Sequence, residues 1–261
     1  LHLIHTLSLH DALPICLTFV STLNTLLVKL SSGALAVFSP VAFTPEVDTK
    51  LREKGNNLKY IIAPSMEHHI FISDWARAFP QAHVIGPEGL AEKRAASSKD
   101  AKSASYGKQV AFSTVFSSKY RGQTKISSEF DADFEYEYVA DHPSKELVFF
   151  YKPDQTLIVA DYMFNSPPTE QYSRTGEAAE GNTLSRLFQY LQSTKGRAMG
   201  QRRIQWYAAS SKNRKAFNES AAIIYSWDFR YIIPCHGDVI EDEAKGTFKK
   251  VFEWHLVGKG N

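Results

Sequence analysis

The chain has 261 residues, 43% of them hydrophobic, enough to bury one sizeable core. Lys and Arg number 30 against 28 Asp and Glu, a net charge of +2, so bulk charge gives no signal for nucleic acid or a membrane surface. Two cysteines, Cys16 and Cys235, argue against a secreted disulfide framework and fit a reducing, cytoplasmic compartment, and no apolar run approaches the roughly 20 residues of a bilayer span.

The first fifteen residues read LHLIHTLSLHDALPI, and no Lys or Arg occurs before Lys29, so the basic start of a signal peptide is missing. The run SLHDALPI resembles a translated sequencing adapter. Residues 1–20 are therefore set aside as artefactual or disordered, which removes His2, His5 and His10 from any site, and residues 21–261 are taken as one domain.

Residues 25–30 and 34–38 predict two strands around Ser31-Ser32-Gly33. Residues 45–54 predict a helix capped by Thr44 and stopped by Gly55. A buried strand follows at 58–63, a helix at 72–79, a strand at 82–85 and a helix at 88–96, the alternation of an α/β fold. Residues 97–107 predict a loop. Residues 129–139 alternate acids with aromatic or small residues, a strand with one wet face whose acids are solvated rather than a cation site. Strands at 147–151 and 156–160 are joined by the turn Lys152-Pro153-Asp154-Gln155. Residues 166–182 predict a long loop over the site. Helices follow at 183–193 and 219–227, a short strand at 231–233 and a closing helix at about 243–254.

Four of the remaining histidines stand where a predicted strand ends, the place where open α/β sheets bind ligands. His68 and His69 follow the strand at 58–63, His142 precedes the hairpin, Asp161 closes it, and His236 follows the last strand within Pro234-Cys235-His236-Gly237-Asp238. Neutral imidazoles plus a carboxylate suit a zinc-like cation with an open position for water. A lone histidine at a strand end is ordinarily structural, the reading given to His83 and His255. Cys235 reads as a small buried residue rather than a thiol ligand. Residues 195–215 mix basic residues with Trp206 and Tyr207 and read as a basic surface segment rather than a nucleic-acid site.

The stretch from His142 to Asp161 resembles the third and fourth motifs of the metallo-β-lactamase superfamily, where a ligand His opens a hairpin and a bridging Asp closes it. His236 in PCHGD is similar to the fifth motif, and residues 58–85 resemble the first ligand region; the resemblance spans roughly residues 26–253. The phrases APSMEHHIF, LIVADYMFN and IIPCHGDVI also resemble an uncharacterised fungal and bacterial branch of such proteins.

The resemblance implies an α/β fold, a four-layer αβ/βα sandwich of two mixed sheets with helices outside. The superfamily's first motif is His-x-His-x-Asp-His, where this chain has Ser65-Met66-Glu67-His68-His69-Ile70. The pair His68-His69 stands for the final Asp-His, with its register open by one residue, and the first two histidines are absent. In the family those two hold one metal with the counterpart of His142. The Asp-His pair holds the second metal with the counterparts of Asp161 and His236. The resemblance therefore implies at most one tightly bound ion, zinc or another divalent metal, drawing on His68, His69, His142, Asp161 and His236. Asp161 is also the catalytic candidate, and Asp238 either orients His236 or is a turn residue. The implied function is a metal-dependent hydrolase in which water activated by the ion attacks a carbonyl or phosphoryl centre of a small molecule. The alternative is a degenerate fold with a binding or scaffolding role. Oligomeric state stays open.

Overall fold

Strand β8 (Glu146–Tyr151) shows how the chain is layered. All six residues are buried, with Leu147, Phe149 and Tyr151 entering one core and Val148 and Phe150 another. A strand covered on both faces loses its polar alternation, which explains the continuous apolar run in sequence. The computed structural model describes residues 5–8, 24–97, 109–169 and 183–259.

One sheet has the order β1 (His5–Ser8), β2 (Asn24–Lys29), β3 (Leu35–Phe38), β4 (Leu58–Ile62), β5 (His83–Pro87), β6 (Thr114–Phe116). Its first three strands pair antiparallel and the rest parallel. The second sheet has β7 (Phe134–Val139), β8, β9 (Thr156–Val159) and β10 (Tyr231–Pro234) in the order β10-β9-β8-β7, parallel only between β10 and β9. Of residues 1–20, His5–Ser8 form an edge strand on β2, and the others lie outside the described residues.

Three apolar clusters separate four layers. Leu26, Val28, Phe38, Tyr60 and Ile62 meet Tyr138, Leu147, Phe149 and Ile158 between the sheets. The opposite face of the first sheet, through Leu27, Val37, Ile61 and Val84, packs on α1 (Pro45–Glu53), α2 (Ile72–Ala78) and α3 (Leu90–Ser97). The outer face of the second sheet packs on α7 (Arg214–Ser226) and α8 (Ala244–Val257), through Phe217, Ile224, Phe248 and Phe252. Each fully buried Leu, Ile or Phe contributes about 1.5–3 kcal/mol. The two mixed sheets with helices outside are the expected α/β sandwich.

Local signals explain the elements. The Thr44 hydroxyl accepts from Val47 N at 3.4 Å, Pro45 opens α1, and Gly55 ends it with φ +106°. Residues 129–139 correct the expectation of one continuous strand: Ser128–Asp133 form a helix, α4, before β7 begins. Ser127 caps it by accepting from Phe130 N at 3.1 Å, and Phe130 stacks on Phe134 one turn later at 4.3 Å. Nor is the β7 face wholly wet, since Glu137 is buried against Arg121 at 2.8 Å. Between α5 (Thr183–Leu191) and α7 the chain adds α6 (Met199–Ile204), which runs into a π-turn over Gln205–Ala209. The predicted loops at 97–107 and 166–182 fall largely outside the described residues.

Candidate metal centre

Three strands of the two sheets end at the same rim, and their last bonds decide what meets there. After β4, Leu147 N donates to Pro64 O at 2.6 Å and Met66 N to Ser144 O at 2.8 Å, tying the turn that bears His68 to the second sheet. After β9, the buried Glu146 carboxyl accepts from Ala160 N at 2.5 Å and Asp161 N at 3.0 Å. After β10, Cys235 N donates to Val159 O at 2.9 Å, and Cys235 Sγ lies 2.9 Å from Ser39 Oγ. Burial pushes that thiol far up, so Cys235 stays protonated and structural.

Asp161 leads into a strap clamped by buried side chains. Gln201 accepts from Phe164 N at 2.8 Å and donates to Phe164 O at 3.0 Å, while Gln205 donates to Tyr162 O at 2.8 Å. The strap then pairs with the segment after β10: Asn165 N donates to His236 O and Asp238 N to Asn165 O, both at 3.1 Å. The His236 ring stacks on Phe164 at 4.9 Å.

These constraints bring His68, Asp161 and His236 together, with one ligand atom from each within 4.8 Å of the others. His68 Nε2 lies 3.2 Å from His236 Nε2. Asp161 Oδ1 is 3.4 Å from His236 Nε2, and its Oδ2 is 3.4 Å from His68 Nδ1. Ser65 Oγ lies 2.8 Å from His68 Nδ1 and donates to Asp161 Oδ2 at 3.1 Å. Burial pushes the Asp161 carboxyl up, but the hydrogen bonds from His236 and His68 overcome it and hold it well below the usual carboxylate range. Burial, reinforced by the Asp161 charge, pushes Glu146 well above that range, against the pull of three backbone N–H groups at 160, 161 and 162.

Other predicted residues go elsewhere. His69 is buried with Arg94, whose Nη1 lies 3.0 Å from His69 Nδ1 and 2.7 Å from His69 O; burial, then the cations Arg94 and Lys93, lower its pKa to about 4. His142 receives Ser144 N on Nδ1 at 3.3 Å, and its ring packs beside Tyr162 and Phe217 at 6.0 and 6.3 Å. Burial lowers the His142 pKa to about 4, although the Asp161 charge acts in the opposite direction. Asp238 takes the Thr169 hydroxyl on its carboxylate and Asn165 Nδ2 on its carbonyl at 2.8 Å. Sequence reasoning passed over Ser65, Glu146, Gln201 and Gln205. A Ser-Pro-flanked turn and a glutamate opening an apolar run were the only signals for the first two. The glutamines sit on elements the sequence did not predict.

The layering is that of a metallo-β-lactamase-like fold. The DIM-1 metallo-β-lactamase superposes with a TM-score of 0.53 at 12% identity, over 96% of this chain and 91% of that one. A metallo-β-lactamase from Hirschia baltica gives 0.53 at 11% identity, over 90% and 86%. The flavodiiron protein from Giardia intestinalis gives 0.55 at 14% identity, over 90% of this chain but 52% of that one. Within that fold the chain belongs to the family described as a domain of unknown function, DUF4336, whose profile matches residues 9–175, a stretch that includes His68 and Asp161. No curated protein matches it. Among the described residues, no helix is long and apolar enough to cross a membrane.

Proposed function

We propose that the protein is a metal-dependent hydrolase with one divalent cation, zinc in the simplest case, held by His68, Asp161 and His236. The carrying observation is the 3.2 Å approach of the two Nε2 atoms with an ionised carboxylate oxygen 3.4 Å away. Two imidazole nitrogens on one tetrahedral zinc stand about 3.3 Å apart, so the donor set fits. A cation there would lower the pKa of water and supply a nucleophile at neutral pH for attack on a carbonyl or phosphoryl centre. Asp161 would neutralise one of the cation's charges and His68 and His236 would supply neutral nitrogen ligands, while Phe164 covers one face of His236.

Support for a single ion comes from His69 and His142. One is engaged by Arg94 and the other is packed among aromatic rings. A cavity of about 350 Å³, lined in part by Asp141, Lys145, Lys212 and Phe217, does not include His68, Asp161 or His236 in its lining and is not assigned to this site.

A second reading has a binding or scaffolding role without metal, and the same contact favours it, because 3.2 Å is also hydrogen-bond length for two neutral rings. Elemental analysis separates the two. The hydrolase reading expects about one divalent ion per purified chain and its loss in Asp161→Ala; metal-free wild type, indifferent to zinc or chelator in its melting temperature, favours the scaffold.

A further inference from the structure

Ser65 has no solvent exposure, and its hydroxyl meets three polar groups: Asp161 Oδ2 at 3.1 Å, His68 Nδ1 at 2.8 Å and Glu67 N at 3.2 Å. A hydroxyl has one proton and two lone pairs. The carboxylate oxygen can only accept, so the proton points to Asp161. The Glu67 N–H can only donate, so it takes one lone pair. The remaining lone pair faces His68 Nδ1, and that contact is a hydrogen bond only if Nδ1 carries the proton.

We propose that Ser65 is a positioning residue that fixes His68 as its Nδ1–H tautomer and so turns a bare Nε2 lone pair toward His236 Nε2. The assignment deepens the metal-site reading and rests on it for its purpose. A histidine binds a metal through an unprotonated nitrogen, and the partner of the other ring nitrogen decides which one that is. The relay runs from His68 Nδ1–H to Ser65 Oγ and from Ser65 O–H to Asp161 Oδ2. It orients two of the three donors through one hydroxyl. Beyond its place in the turn after Pro64, the sequence does not mark this role for the serine, because the accounting appears only once Asp161, 96 residues away, is placed beside it.

Long-range ¹H–¹⁵N spectra of the histidines in the metal-free full chain at neutral pH test the tautomer directly, with His68→Gln identifying the signals. The expected result is a protonated Nδ1 and an unprotonated Nε2 for His68. Ser65→Ala should relax that preference and weaken zinc binding about 10- to 100-fold, read by competition with a chromophoric chelator, while Ser65→Thr retains both. A wild-type His68 protonated on Nε2 overturns the proposal, as does a Ser65→Ala chain whose tautomer and zinc affinity are unchanged. If the wild type shows the Nδ1–H form yet takes up no zinc, the tautomer assignment stands. The metal reading and the purpose given to Ser65 then fail.

Discussion

The backbones of Gly237 and Asn165 run so close that a Cβ on Gly237 would meet the Asn165 carbonyl oxygen at 2.1 Å. Gly237 also has φ +105°, a conformation that side chains disfavour. This contact locks the segment after His236 against the strap after Asp161. Gly237→Ala should therefore destabilise the protein by about 2–4 kcal/mol, combining a backbone clash with strain. Urea unfolding checks it, and an unchanged midpoint would show that the two segments can part freely.

Glu146 holds the turn at Asp161 through buried backbone N–H groups. Glu146→Leu leaves those donors unsatisfied and should cost about 3 kcal/mol or more. Glu146→Gln keeps an acceptor and should cost less while weakening zinc binding. Thermal melts and chelator competition on both variants measure it; equal stabilities for Leu and Gln would contradict the role.

His69 tests which histidine of the pair belongs to the site. Its ring is engaged by Arg94, whose Nη1 lies 3.0 Å from His69 Nδ1. His69→Asn should cost about 1–3 kcal/mol in stability and leave zinc stoichiometry intact, whereas His68→Asn should remove the ion. Zinc loss in the His69 variant instead would shift the ligand by one residue.

Stability should fall with acid, and His255 contributes. It is buried, and desolvation, then the Arg214 charge, lower its pKa to about 4 from 6.5. The unfolded chain therefore binds the proton first. The contribution is complete above pH 6.5 and is lost as pH falls through that value toward 4. Between pH 7.5 and 5.5 the loss is roughly 1 kcal/mol for this residue. His255→Leu should flatten that part of the profile, as read by unfolding at several pH values; an identical slope would mean that His255 titrates normally.

The strands were legible because short continuous apolar runs such as Leu147 to Tyr151, buried on both faces, have few alternative solutions. Helix α4 was not, since Glu129 to Phe134 satisfies the alternation of a strand and also the one-turn spacing of Phe130 and Phe134. The Ser127 cap was the deciding signal. Three site residues stood out as polar groups at strand ends. His68 and His69 could not be separated, because they are neighbours in the irregular turn after β4, and only the fold shows that one meets His236 and the other Arg94. Glu146 and Gln201 carry meaning only through backbone groups that other segments deliver to them.

The most direct test of the central claim is zinc-edge X-ray absorption on the full chain after titration with zinc. The account predicts one equivalent bound, with two imidazoles and a carboxylate oxygen and no sulfur. A failure to bind zinc, a second tight equivalent, or a shell with thiolate or three imidazoles would contradict it.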